Sequence, residues 1–258
     1  MAACHIVADP AAATLRLGDS DVSDPVPEHH ETLQRHPVLG RFRAPVLQRL
    51  LSCCDIMTFS QGEMVFRGGT PAERIFVVMH GRLDLLIDDA SGRSTWIGAV
   101  VAPHLAGATC AVGGGDFAYT CVAESEQAQV IGLPAADVVA EIGENPEAAQ
   151  MLLAEASAQL HGLVRGLVDL RLKDSVQRLA GYLVELAPAD AADAEVRFHS
   201  EKRVVADRLG MKPETLSRAL ARLEAIGLLD SRESQRIRLP DVMRLRRLYL
   251  VGDESLLP

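Results

Sequence analysis

At Asn145 the spacing of apolar residues along the chain changes, and no other feature narrows the fold as much. Upstream lie seven short stretches carrying β-branched or aromatic residues: Ile56–Phe59, Glu63–Phe66, Ile75–Met79, Leu83–Ile87, Thr95–Val101, Tyr119–Ala123 and Gln129–Leu133. Glycines at Gly62, Gly68-Gly69, Gly81 and Gly113–Gly115 punctuate them. Strands this short with turn signals at this spacing predict an antiparallel barrel or jelly roll. Downstream, Pro146 suits the first turn of a helix. Leu153, Ala156, Leu160, Leu163, Leu167 and Leu170 then recur at steps of 3, 4, 3, 4 and 3. That rhythm predicts a long helix with a coiled-coil seam. A helix lying on its own domain is the alternative. The narrow stripe, flanked by Gln159, Arg165 and Asp169, favours a partner helix, and a symmetric homodimer is the economical choice.

Charge separates the C-terminal part from the rest. The chain of 258 residues has a formal net charge of -9. Arg197–Arg247 holds thirteen Lys/Arg against seven Asp/Glu, or +6, which leaves -15 for the remainder. An acidic body with one basic block implies that only the block meets nucleic acid. The block contains VVADRLGMKPETLSRALARLEAIGLL. Val204–Leu209 predicts a short helix, Gly210 a turn at positive φ, and Pro213 the first turn of a second helix. On that helix Leu216, Leu220 and Leu223 share an inward face, while Glu214, Ser217 and Arg218 share an outward one. Two short helices around a glycine, the second with a polar face, describe a helix-turn-helix. Arg218 suits guanine O6 and N7, Glu214 a cytosine amino group, and Ser217 several base edges. Lys202, Arg203, Lys212 and Thr215 suit phosphates, which add affinity without sequence information. Leu228–Asp230 and Arg236–Leu239 predict a hairpin wing, with Arg232, Arg236 and Arg238 beside the DNA backbone.

These signals divide the chain. Residues 1–30 lack periodicity and are expected to form a mobile extension. A sensor domain is expected over 31–144, a dimerisation helix over 145–171, a DNA-binding domain over 172–245 and a tail over 246–258. No apolar run reaches the roughly 18 residues of a membrane span. The absence of a secretory signal and an odd set of cysteines (Cys4, Cys53, Cys54, Cys110, Cys121) favour a reducing cytoplasm. No nucleophile–base pair, P-loop or metal-ligand cluster points to an enzyme.

With these motifs in view, the chain resembles the Crp–Fnr family of transcription regulators from about Glu31 to Leu245. QGEMVFRGGTPAERIFVVMHGRLDLL is similar to the opening of that family's cyclic-nucleotide-binding-type barrel. LKDSVQRLAGYLVELA resembles the segment after its dimer helix, and Glu214, Ser217 and Arg218 match its Fnr-like E-x-x-S-R signature. The resemblance implies an α+β chain: jelly roll, long dimerisation helix, winged helix-turn-helix. It also implies a homodimer on a palindrome resembling TTGAT-N4-ATCAA, working with RNA polymerase. Lys212 departs from the pattern, because relatives usually carry a Ser or Thr helix cap there.

The effector residues depart further. Cyclic-nucleotide-binding members hold the ribose with a Glu after a Gly, and the phosphate with an Arg-Ser or Arg-Thr pair. In GATCAVGGGDFAYTCVAESEQ the corresponding positions are Gly107, Ala108, Ala118 and Tyr119. No Arg or Lys lies between Arg93 and Arg165, so a bound phosphate would lack its guanidinium. Cyclic AMP and cyclic GMP are therefore not expected as ligands. No iron–sulfur cluster is expected either, because adjacent Cys53-Cys54 suit one cluster poorly. Haem is an alternative, with Cys4, His5, His80, His104, Cys110 and His161 as candidate ligands. Of these, His161 falls nearest the expected pocket. A thiol switch between Cys110 and Cys121 across a hairpin is another.

Overall fold

The computed structural model describes residues 27–89, 94–198, 202–231 and 236–252. Helices α1 (Pro27–Arg35) and α2 (Ala44–Ser52), with a 3-10 turn at Leu39–Arg41 between them, precede the barrel. Helix α1 starts inside the segment expected to be a mobile extension, whose residues 1–26 lie outside the described residues. Strands β1 (Asp55–Ser60), β2 (Met64–Phe66), β3 (Arg74–His80), β4 (Arg82–Asp88), β5 (Ser94–Val101) and β6 (Leu105–Ala106) follow. A short helix α3 (Ala108–Val112) then leads to β7 (Thr120–Ala123) and β8 (Gln127–Pro134). They form two four-stranded antiparallel sheets, ordered β1-β8-β3-β6 and β2-β7-β4-β5. Non-sequential neighbours in both sheets make this the expected jelly roll. Val77 faces Ile131 in one sheet and Leu85 faces Cys121 in the other, with all four side chains turned into the core.

Helix α4 (Ala135–Glu144) closes the barrel, and Arg43 clamps it by hydrogen-bonding the buried Glu141 carboxylate. Helix α5 (Pro146–Leu172) is the long helix the leucine spacing predicts. Asn145 caps it by accepting a bond from the Ala148 N–H at 3.1 Å. Helix α6 (Ser175–Leu186) starts with a reciprocal capping box between Asp174 and Gln177. Beyond it come β9 (Ala194–Arg197), α7 (Lys202–Arg208), α8 (Pro213–Ala225), β10 (Asp230–Ser231), β11 (Arg236–Leu239) and α9 (Val242–Val251). The wing is a three-stranded sheet, β10-β11-β9, so β9 adds an outer strand to the expected hairpin. Helix α9 extends past the expected boundary at 245, and Leu248 lies in the core of the DNA-binding domain. No helix among the described residues is long and apolar enough to cross a membrane.

Two hydrophobic cores result. One runs from Leu33 to Leu152 and fills the barrel; the other runs from Val176 to Leu248. Most of α5 between them carries exposed side chains.

Candidate DNA interface and effector cleft

The turn between α7 and α8 is built on Gly210, whose φ of 61° favours glycine. A side chain there would also strike Leu170, since an added Cβ would sit 2.5 Å from its Cδ2. Leu216 and Leu223 are fully buried, and Leu220 packs at the edge of their cluster. Glu214, Ser217 and Arg218 emerge together on the exposed face of α8. Without DNA, Ser217 Oγ donates to the Pro213 carbonyl at 3.0 Å, and Arg218 Nη2 donates to Thr215 Oγ1 at 3.3 Å. Both bonds are local and solvent-facing, so exchanging them for base edges costs little. Lys202 and Arg203 are exposed in the first turn of α7, and Lys212 is exposed at the head of α8. Lys212 makes no side-chain cap bond, and the Thr215 N–H donates to the Lys212 carbonyl at 2.9 Å instead. Arg236 and Arg238 are exposed on the wing, while Arg232 lies outside the described residues.

The seam of α5 is largely bare. Leu153 is 68% exposed, Leu160 59% and Leu167 56%, with Leu163 and Leu170 close behind. Val164 and Val168 widen the stripe. Ala156 differs: it is half-buried and faces the barrel cleft.

That cleft is a narrow crease between the barrel and α5, with no room for a water-sized sphere, and Ala108, Thr109, Tyr119, Glu155 and Gln159 line it. Gly107, at φ 80°, heads α3, and a Cβ there would lie 2.7 Å from the Phe117 ring. Phe117 stacks on Phe66 with centroids 3.9 Å apart, and Phe76 and Tyr119 complete the aromatic group. The Gly107 N–H donates to Tyr119 Oη at 3.3 Å, and burial pushes that phenol's pKa up to about 12. Glu155 accepts a bond from the Leu105 N–H at 2.9 Å and lies 3.4 Å from His104 Nδ1. Of the expected pocket residues, Ala108 and Tyr119 line the cleft and Gly107 shapes it. Ala118 and His161 are exposed instead and do not line it.

The candidate ligands are scattered. His80 is exposed at the end of β3, His104 is half-exposed, and Cys4 and His5 lie outside the described residues. Cys110 sits on helix α3, not on a strand, so it does not face Cys121 across a hairpin. Cys121 is buried in β7, and burial followed by the charge of Asp84 pushes its thiol pKa well up, which keeps it protonated and unreactive.

A winged helix-turn-helix joined by a long helix to a jelly-roll sensor defines a DNA-binding transcription regulator. Comparison with known proteins agrees. Residues 177–248 match the Crp-like helix-turn-helix domain, and residues 56–145 match the cyclic nucleotide-binding domain. The nitrogen fixation regulation protein FixK of Azorhizobium caulinodans is 28% identical over 196 residues, covering 74% of this chain and 77% of FixK. The structure of FixK2 from Bradyrhizobium japonicum has a TM-score of 0.66 at 21% identity, covering 76% of this chain and 96% of FixK2. The c-di-GMP responsive global regulator CLP of Xanthomonas campestris has a TM-score of 0.62 at 18% identity, covering 76% of this chain and 98% of CLP. The chain belongs to the Crp–Fnr family: it is a DNA-binding regulator with a sensory N-terminal domain. Regulators of this family are typically dimers and generally not enzymes.

Proposed function

We propose that this regulator binds, as a homodimer paired through α5, a palindrome resembling TTGAT-N4-ATCAA. Half-sites about one helical turn apart would each receive one α8 in the major groove. The observation that carries the reading is the shared exposed face of Glu214, Ser217 and Arg218. The bare leucine stripe of α5 supports the pairing, because an apolar patch of that length on a monomer is costly. Work in the cytoplasm with RNA polymerase and no catalytic activity of its own follow the family.

The signal is not a cyclic nucleotide. No cationic side chain lines the cleft to pair with a cyclic phosphate. An iron–sulfur cluster is not part of this proposal, and haem is the alternative signal. Among the described residues no three His, Cys, Asp or Glu side chains gather as metal ligands, and the exposed His161 stands away from the cleft.

Fluorescence anisotropy with labelled duplexes tests the DNA reading. Replacing Arg218 by Ala is expected to relax the choice at one base pair per half-site by about 1–3 kcal/mol. An unchanged ratio between specific and scrambled duplexes would remove Arg218 from the readout.

A further inference from the structure

One arginine of the basic block does not face solvent. Arg208, the last residue of α7, reaches out of the DNA-binding domain into the barrel. Its Nη2 lies 2.5 Å from Asp84 Oδ2 on β4 and 3.6 Å from Glu124 Oε1 just after β7. The guanidinium carbon stands 5.3 Å from the ring centroid of Trp96 on β5 and 5.9 Å from that of Tyr182 on α6. The Arg208, Asp84 and Glu124 side chains are only 5%, 7% and 6% exposed. Burial alone would lower the guanidinium pKa; Asp84, Tyr182 and Glu124 more than reverse this and hold it charged. Arg82 adjoins the group, with Nε 3.6 Å from Asp84 Oδ1.

The helix-turn-helix turn is gripped on two further sides. Leu170, near the end of α5, packs against Gly210. Arg178 of α6 donates from Nε to the Leu209 carbonyl at 2.9 Å and from Nη1 to the Lys173 carbonyl at 2.7 Å. From Arg208 the chain needs only the tight turn through Gly210 to reach Pro213, where α8 begins. The position of Arg208 therefore fixes where α8 projects from α5.

We infer that Arg208 is a positioning residue through which the barrel sets the separation of the two recognition helices. The bonding pattern suits positioning better than adhesion. Asp84 Oδ1, Arg82 Nε, Arg208 Nε and Trp96 Nε1 are buried without a hydrogen bond. A contact kept for stability alone would be fully paired or apolar, since half-satisfied buried charge gains little net free energy. What charge adds is geometry: one guanidinium nitrogen, Nη2, sits between the two carboxylates while the Trp96 and Tyr182 rings flank the group. Displacements of β4 or β5 in the barrel then pass directly to α7.

The inference rests on the proposed paired readout, so its test must separate the two. Full-length protein is titrated against duplexes carrying two half-sites that the unmodified chain enriches from random DNA. The spacer is kept, or changed by one or two base pairs, and a single half-site serves as control. Paired readout requires that the unmodified chain lose about tenfold or more in affinity when the spacer changes; without that loss the paired reading itself fails. The double variant Arg208→Leu with Asp84→Leu is expected to bind the single half-site unchanged, yet to lose less than about threefold on changed spacers. Arg208→Lys, which keeps a cation between the carboxylates, should retain the spacing preference. A variant that failed to fold would lose single half-site binding too, and the test would then pass to Trp96→Leu, which removes only the ring beside the guanidinium and should show the same tolerance. Spacing preference equal to that of the unmodified chain in the folded variants would overturn the inference.

Discussion

In the barrel, polar chemistry is turned inward and closed off; in the DNA-binding domain it is turned outward and left open. Phe66, Phe76, Phe117 and Tyr119 occupy the interior near Gly107, and the Tyr119 hydroxyl bonds to the backbone of its own domain. On α8, by contrast, Leu216 and Leu223 make the core while Glu214, Ser217 and Arg218 stand free of it. Both domains follow one rule, apolar inside and polar where a partner is available. They differ in what counts as partner. Around Gly107 the barrel satisfies itself, and α8 is completed only by a duplex.

Removing the packing should have the largest effect. Phe117→Ala is expected to cost the barrel about 3–5 kcal/mol, because it deletes a buried ring stacked on Phe66. Urea unfolding followed separately by barrel and wing-domain probes would show it. A loss shared equally by both domains would break the contrast between them.

Acid provides the next test. His36 is buried, and its Nδ1 accepts bonds from the Val38 and Leu39 N–H groups at 3.1 and 3.3 Å. Burial, then repulsion from His104, lowers its pKa from 6.5 to about 4. The unfolded chain therefore binds the extra proton first, and stability falls as pH drops from about 6.5 to 4. The loss amounts to about 3 kcal/mol. Stability measured against pH should show this slope, and His36→Asn, which keeps an acceptor but does not titrate, should flatten it.

A smaller effect sharpens the other side. Lys212→Ser supplies the missing cap of α8 and should stabilise the DNA-binding domain by about 0.5–1 kcal/mol. The same change should reduce the slope of log affinity against log salt by about one, since a phosphate contact is lost. Thermal unfolding and anisotropy at several salt concentrations give both numbers. Greater stability with an unchanged salt slope would take Lys212 off the DNA.

The strands and the long helix were legible because their signals are local. Short runs of β-branched and aromatic residues between turn signals place β3, β4 and β5 within about two residues. The exposed face of α8 was legible for the same reason, since Leu216, Leu220 and Leu223 fix its rotation. Two short elements were not: α3 (Ala108–Val112) and β9 (Ala194–Arg197) carry no run of β-branched or aromatic residues between turn signals. His161 and Ala118 illustrate a second limit, because matched positions carry no information on helix rotation or loop path. Arg208 illustrates a third. Locally it is one more arginine in a basic block, and its burial depends on Asp84, 124 residues away in the chain.

Methylation protection on an enriched duplex tests the central claim most directly. Two α8 helices related by a twofold axis should shield guanine N7 in two clusters about 10 base pairs apart on one face of the DNA, and Arg218→Ala should uncover one guanine in each cluster. Uniform protection, or two clusters indifferent to Arg218, would contradict readout by α8.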